Sequence, residues 1–237
     1  MNDGKTFRLD GVSISFDAGD TVMDAALKAG EYIPHLCHNP EFPPHGSCRI
    51  CVVNVDGRQQ TACTLPASEN MDVDNSSDAI VTLRRNLLQM LFVEGNHICP
   101  ACEKSGDCKL QAVAYDTGML SPHFTHFFPR RSIDASHPEI IFYFNRCILC
   151  GLCERASRDI DGKDVFLISG RGINSKLVFN SESGKLGDST LSASDKAVSV
   201  CPVGAILPKN RGYEIPIGER RYDRKPISVD KDANSND

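Results

Sequence analysis

The sequence lacks the features that would place it in a membrane or give it a substrate site. No apolar run approaches the length that spans a bilayer, and the first residues lack the basic-then-apolar pattern of a signal peptide. There is no G-x-G-x-x-G motif after a strand, no P-loop and no evident pairing of a nucleophile with a base. We therefore expect a cytoplasmic protein with no membrane span and no catalytic residues of its own.

The sequence also lacks a large excess of either positive or negative charge. The formal net charge is -5, with 26 Lys and Arg and 31 Asp and Glu mixed through 237 residues. Without a basic patch, nucleic acid is not an expected partner. The hydrophobic share of 41% can fill two or three small cores, in which bound metal would supply part of the folding free energy.

Cysteine is abundant, and its eleven copies fall into three groups along the chain. Groups of four thiolates at such spacings hold iron–sulfur clusters. In a cytoplasmic protein, grouped cysteines bind metal more often than they form disulfides. The first group is Cys37, Cys48, Cys51 and Cys63, the middle group is Cys99, Cys102 and Cys108, and the third group is Cys147, Cys150, Cys153 and Cys201.

The spacing of the first group, C-x10-C-x2-C-x11-C, departs from the plant-type C-x4-C-x2-C pattern. The β-grasp order of hairpins and helix around it nevertheless favours a [2Fe–2S] cluster. The main-chain N–H groups of Gly46 and Ser47 are expected to point at its sulfur atoms. Zinc is the main alternative, because two cysteines separated by two residues also form half of a zinc site. A Rieske centre is not favoured, and His35, His38 and His45 are expected to be surface or loop histidines.

The middle group, C-x2-C-x5-C, lacks a fourth cysteine. His97 stands two residues before Cys99, so we predict a [4Fe–4S] cluster held by one histidine and three cysteines. A three-iron cluster, or a fourth ligand from elsewhere in the chain, is the alternative. The predicted ligands are His97, Cys99, Cys102 and Cys108.

The third group has the most specific spacing. Its C-x2-C-x2-C run is typical of three ligands of a [4Fe–4S] cluster, and a distant cysteine followed by Pro202 supplies the fourth. A zinc ribbon does not normally carry three cysteines at this spacing. A zinc-binding structural scaffold remains the alternative from a different functional class.

Turn and helix signals predict an α+β chain with three small domains. Asp-Gly dipeptides at positions 10 and 56 predict two hairpins, and Thr21 and Gly30 are predicted to begin and end the helix between them. This order is typical of a β-grasp, ferredoxin-like [2Fe–2S] domain, which we place at residues 1–78.

The remaining domains follow the other two cysteine groups. Apolar residues at helical spacing from Asp78 to Glu94 predict a helix leading into a small helical His/Cys cluster domain at residues 79–118. Strand signals around the third group predict a ferredoxin-like [4Fe–4S] domain at residues 119–217. Residues 218–237 form a polar tail, expected to be mobile or held only by a partner.

The order of these motifs resembles a known family. Cys99-Pro-Ala-Cys-Glu-Lys-Ser-Gly-Asp-Cys108 and Cys201-Pro-Val-Gly-Ala-Ile206 resemble the N-terminal region of the complex I large iron–sulfur subunit and of iron-only hydrogenases. The segments around Glu94–Cys99 and Arg211–Gly218 resemble the small diaphorase subunit of soluble NAD-reducing nickel–iron hydrogenases. The likeness covers about residues 1–222. In complex I and iron-only hydrogenases the ligand histidine stands in H-x3-C, where this sequence has Gly95.

The resemblance implies an electron-transfer subunit in a hetero-oligomer. Its partners would be a flavin- and NAD-binding diaphorase subunit and the nickel–iron hydrogenase subunits, and the overall reaction would be hydrogen oxidation coupled to NAD reduction. Its cofactors would be one [2Fe–2S] and two [4Fe–4S] clusters. The equivalent subunit of another NAD-linked complex, such as a formate dehydrogenase or a complex I-like enzyme, is the alternative.

Overall fold

The computed structural model describes residues 5–230, and its N-terminal part is a five-stranded mixed sheet. The strand order is β2-β1-β5-β3-β4, with β5 parallel to β1 and antiparallel to β3. The elements are β1 (Thr6–Leu9), β2 (Val12–Ser15), helix α1 (Val22–Ala29), β3 (Val52–Val55), β4 (Arg58–Thr61) and β5 (Asp72–Asp74).

Local signals explain most of this domain. Asp10 and Gly11 have φ of 51° and 84°, the left-handed conformation that a two-residue hairpin turn requires. Thr21 and Asp24 form a reciprocal capping box, and Gly30 ends α1 with φ of 80°. The three residues of β5 include a single apolar side chain, so the strand that completes the sheet was not predicted from the sequence.

The middle and C-terminal parts contain short elements around the other cysteine groups. One three-stranded sheet has the order β10-β7-β6, and β8 pairs with β9. The long helix is the predicted one, which ends at Glu94. The elements are α2 (Asp78–Glu94), α3 (Lys109–Asp116), β6 (Ile133–Asp134), β7 (Ile140–Tyr143), α4 (Leu152–Asp159), β8 (Phe166–Ser169), β9 (Lys176–Phe179), α5 (Lys196–Ser199), β10 (Ile206–Pro208) and α6 (Arg221–Arg224).

The larger apolar core crosses the predicted domain boundaries. It contains Leu88 of α2, Val113 of α3 and Phe166 of β8, all fully buried. Leu36 and Ile50, from the cysteine loop of the first domain, belong to the same core. A second core fills the space between α1 and the N-terminal sheet. The three cysteine groups therefore share one continuous packed interior.

His35, His38 and His45 lie in loops, as expected. His45 is exposed, whereas His35 and His38 are only 4% and 5% exposed, which the sequence did not indicate. The C-terminal segment folds back on α3 up to residue 230. Ile227 anchors it at 3% exposure. The expected mobility of the tail is therefore wrong as far as residue 230, and residues 231–237 lie outside the described part.

Within residues 5–230, no helix is both long enough and apolar enough to cross a membrane.

The fold-back predicts that Ile227→Ala releases the C-terminal segment. Removing a buried Ile side chain costs about 2–5 kcal/mol in a packed core, which exceeds what the few polar contacts of this segment can offset. Hydrogen exchange of the amides of residues 221–230 should therefore become much faster. Val229→Ala is the matched control, because Val229 is 60% exposed and its loss should leave exchange unchanged. Equal exchange in both variants would contradict the anchoring role.

Candidate metal centres

The first cysteine group forms two pairs of neighbouring sulfur atoms. The Sγ atoms of Cys51 and Cys63 are 3.3 Å apart. The Cys37 sulfur accepts hydrogen bonds from the Cys48 side chain and from its main-chain N–H, the latter at 3.4 Å. Each iron of a [2Fe–2S] cluster takes two protein ligands, so two pairs of thiolates fit this group.

Hydrogen bonding within each pair shifts the two thiols in opposite directions. The bond from Cys48 lowers the pKa of Cys37 to about 6 and raises that of Cys48. In the other pair the pKa of Cys63 is lowered and that of Cys51 is raised, mainly by the bond between them. Each pair thus has one thiol that loses its proton readily, as iron binding requires.

Main-chain amides also converge on the first group. The main-chain N–H of Ser47 helps to lower the pKa of Cys37, and that of Gly46 helps to lower the pKa of Cys63. Gly46 and Arg49 have φ of 70° and 60°. Left-handed residues in such a loop turn successive N–H groups towards one concave side, where they stabilise negative charge. Hydrogen bonds to cluster sulfurs of this kind set the reduction potential.

The middle group surrounds a small cavity with a volume of about 20 Å³. Burial raises the pKa of Cys108 to about 12 and also raises the pKa of Cys99. The cavity walls combine the predicted ligands with apolar and polar neighbours. They are Phe92, His97, Ile98, Cys99, Cys102, Ser105, Cys108, Leu110, Gln111, Arg146, Val203 and Gly204.

His97 reaches this cavity by folding back over Gly95. Its Nε2 atom is buried and has no hydrogen-bond partner among the described residues. A Cβ atom at Gly95 would lie 2.6 Å from that Nε2, so the imidazole fills the space that a side chain at Gly95 would need. Burial lowers the pKa of His97 to about 4, which keeps the imidazole neutral and able to donate a lone pair. An orphaned nitrogen beside three thiols fits a fourth cluster ligand.

The third group surrounds a cavity of the same small size, with a volume of about 20 Å³. Its four cysteines line that cavity together with Val203 and other apolar residues. Leu149 and Gly151 have φ of 52° and 70°, which curls the loop so that the cysteines converge. Burial raises the pKa of Cys147 to about 11 and raises those of Cys150 and Cys153 further.

The first group adjoins the third. Burial is the main cause of the raised pKa of Cys150, and the negative charges of Cys201, Cys147 and Cys37 add to it. Arg155 of α4 donates from Nη2 to the main-chain carbonyl of Cys37 at 2.6 Å. The electrostatic contact and the hydrogen bond both join residues that are more than 100 positions apart in the chain.

The third group also adjoins the middle group. Val203, two residues after Cys201, lines both cavities. The next residue is Gly204, where a Cβ atom would lie only 2.9 Å from the sulfur of Cys102, so the loop can pass there because glycine has no side chain. The spatial order of the groups is therefore first, third, middle. Their order in the sequence did not indicate this arrangement.

Three residues that shape these sites carry no recognisable sequence signal. Arg155 and Arg146 are ordinary charged residues in the sequence, yet each lies beside the third group and is largely buried in the fold. Gly204 comes shortly after Cys201 and Pro202, and that motif predicted a cluster ligand at Cys201 but no role for the glycine. Their positions depend on contacts between distant segments, which a single sequence does not reveal.

Three family models match successive parts of the chain. Residues 5–78 match a 2Fe-2S iron-sulfur cluster binding domain. Residues 84–123 match the NADH-ubiquinone oxidoreductase-G iron-sulfur binding region. Residues 144–207 match a 4Fe-4S single cluster domain. These matches confirm the predicted fold class and the predicted cofactors, one [2Fe–2S] and two [4Fe–4S] clusters.

Full-length relatives decide the family. The chain is 40% identical over 221 residues to the gamma subunit of the NAD-reducing hydrogenase HoxS of Cupriavidus necator, covering 92% of this chain and 93% of that protein. The chain belongs to the family of NAD-reducing hydrogenase gamma subunits. It also matches a chain of a crystal structure of an NAD+-reducing [NiFe]-hydrogenase in the H2-reduced state, with a TM-score of 0.94 and 54% identity over 97% of this gamma-subunit homologue and 98% of that chain.

More distant relatives are longer proteins. The gamma-subunit homologue is 29% identical over 203 residues to the alpha subunit of the NADPH-Fe(3+) oxidoreductase of Geobacter sulfurreducens and covers 24% of that protein. It is 29% identical over 207 residues to the mitochondrial NADH-ubiquinone oxidoreductase 78 kDa subunit of Candida albicans and covers 28% of it. Together the comparisons favour an iron–sulfur subunit of a hydrogenase over the formate dehydrogenase, complex I-like and zinc-scaffold alternatives.

Proposed function

We propose that this chain carries single electrons between a nickel–iron hydrogenase module and a flavin- and NAD-binding diaphorase module. The observation that carries the proposal is the contact of the third cysteine group with both other groups. Iron–sulfur clusters, when bound, accept and release one electron at a time. The chain contributes the ligands, the burial and the hydrogen bonds to sulfur that determine where each electron is most stable.

We assign the ligands as the sequence predicted them. Cys37, Cys48, Cys51 and Cys63 hold the [2Fe–2S] cluster, since their sulfur atoms are paired. Four ligand side chains converge on one small cavity in the middle group and on another in the third group, which supports a [4Fe–4S] cluster in each. The four ligands of the middle cluster are His97, Cys99, Cys102 and Cys108, and those of the third cluster are Cys147, Cys150, Cys153 and Cys201.

We also propose that the chain works in the cytoplasm, as one subunit of a hetero-oligomer with the two modules. All eleven cysteines are free thiols in the structure, and clusters of reduced thiols are typical of reducing compartments. The domain limits at residues 78, 118 and 217 remain a sequence-based proposal. The shared apolar core indicates that the last two domains fold together.

The histidine assignment predicts two distinct outcomes at position 97. His97→Cys should keep a four-iron cluster but lower its potential by on the order of 100 mV, because a thiolate replaces a neutral imidazole. His97→Ala should convert the cluster to a three-iron form or lose it. Electron paramagnetic resonance along a redox titration measures both, because a four-iron cluster gives its signal when reduced and a three-iron cluster when oxidised. His123→Ala is the control, since His123 is exposed to solvent. An unchanged middle-cluster signal in His97→Ala would show that the fourth ligand lies elsewhere.

The spatial order predicts that the third cluster is essential for coupling. In the assembled complex, Cys150→Ser should reduce hydrogen-dependent NAD reduction close to background, because electrons must pass through the centre that lies between the other two. Each half-reaction should persist with an artificial dye: NADH oxidation at the flavin module and hydrogen oxidation at the nickel–iron module. These half-reactions are the internal control for correct assembly. Coupled turnover near wild type, in a variant shown to lack that cluster, would place the third cluster off the electron path.

A further inference from the structure

Arg155 connects the first and third cysteine groups through its buried guanidinium. The residue lies on α4 two positions after Cys153 and is 6% exposed. Nη2 donates to the carbonyl of Cys37 at 2.6 Å, and Nη1 donates to the carbonyl of Pro43 at 3.0 Å. Nε donates back to the carbonyl of Gly151 at 3.3 Å. One side chain thus ties the loop of a [2Fe–2S] ligand to the helix that follows the third group.

The hydrogen-bond partners of Arg155 are neutral carbonyls. No carboxylate of residues 5–230 forms an ion pair with it, and the charge of Asp159 acts on it only at longer range. A carbonyl oxygen carries only a partial charge, and burying a full charge among neutral partners is unfavourable. The ring of Phe42, whose centroid is 5.3 Å from the guanidinium carbon, supplies only a weak attraction. A stronger anionic counterpart is therefore needed nearby.

Arg146 provides a contrast on the other side of the third group. It lies towards the middle group, and its Nη1 is 2.7 Å from a carboxylate oxygen of Glu103. That ion pair cancels most of its charge. Arg155 instead lies between two cysteine groups, since its hydrogen bonds reach Cys37 of the first group and Gly151, between Cys150 and Cys153 of the third. Bound clusters with four thiolate ligands are anionic, so they are the counterpart that the buried cation requires.

We propose that Arg155 is a positioning residue that holds the first and third cluster sites together and stabilises the reduced form of both clusters through its charge. The inference rests on the ligand assignment in the proposed function. Each cluster gains one negative charge on reduction, and a cation shared by both favours that charge in each. A single side chain therefore raises both potentials together and leaves the difference between them, which drives transfer from one to the other, largely unchanged.

The test is a redox titration of Arg155→Gln in the assembled complex, followed by electron paramagnetic resonance. At any fixed potential the reduced-to-oxidised ratio of both the [2Fe–2S] cluster and the third cluster should fall by about tenfold, which is ~59 mV for a one-electron couple. The middle cluster should keep its midpoint. Arg155→Lys retains the positive charge but cannot donate to the carbonyls of Cys37 and Pro43 at once. It should restore both midpoint potentials, and the amide hydrogens of the Cys37 loop should exchange faster than in the wild type.

Arg158→Gln is the matched control on the same helix. Arg158 is solvent-exposed and pairs with Asp159, so its replacement should shift no midpoint. Unchanged midpoints in an Arg155→Gln complex that retains both signals would refute the inference. A shift of only one cluster would refute the shared role. Absence of either signal from the wild-type complex would instead refute the ligand assignment on which the inference depends.

Arg155→Met is a second neutral variant, which is needed if the Arg155→Gln complex does not retain its clusters. If both Arg155→Gln and Arg155→Met lose the two clusters while Arg155→Lys keeps them, the charge is what holds the sites and the inference stands. If Arg155→Lys loses them as well, the hydrogen-bond geometry is essential and the charge is not. That result would overturn the electrostatic role.

Discussion

The packing of the third cysteine group against both other groups determines how this chain can conduct electrons. The loop that follows Cys201 lies between two cavities, and Arg155 reaches from α4 to the backbone of Cys37. Without these contacts the chain would contain three separate metal sites. With them, the third group becomes the centre through which the other two communicate. The larger apolar core extends across all three groups, which fixes their relative positions.

The same packing makes the thiols dependent on metal. Burial raises the pKa of Cys108 and of the first three cysteines of the third group, so these thiols would hold their protons without metal. Binding iron must displace those protons, and the free energy of binding is then also free energy of folding. The cavities lie inside the larger core. Loss of either [4Fe–4S] cluster should therefore loosen the middle and C-terminal parts together.

The sequence was informative where the chemistry is local. Cysteine spacing identified the three groups, and the amides of Gly46 and Ser47, singled out from the sequence, act on the thiols of Cys63 and Cys37. Hairpin and capping signals predicted most of the N-terminal domain. Features that depend on distant contacts were missed: the three-residue strand β5, the burial of His35 and His38, and the attachment of the C-terminal segment by Ile227. No residue close in the sequence to any of these features indicates that the feature is present.

His97 lies between these two cases. Three thiols without a fourth partner suggested a nearby histidine, but not how a residue two positions from Cys99 could reach the cavity. The structure supplies the reason, since the ring occupies the space left open by Gly95. The spatial order of the groups had no comparable local signal.

Magnetic coupling among the reduced clusters tests the central claim, that the third cluster lies between the other two. Pulsed electron paramagnetic resonance of the assembled complex, poised at successive potentials, measures how each reduced cluster speeds the relaxation of the others. This spatial order predicts that reduction of the third cluster strongly enhances relaxation of both the [2Fe–2S] and the middle cluster. The [2Fe–2S] and middle clusters should affect each other least. A stronger coupling between the [2Fe–2S] and middle clusters than either shows to the third would contradict the claim.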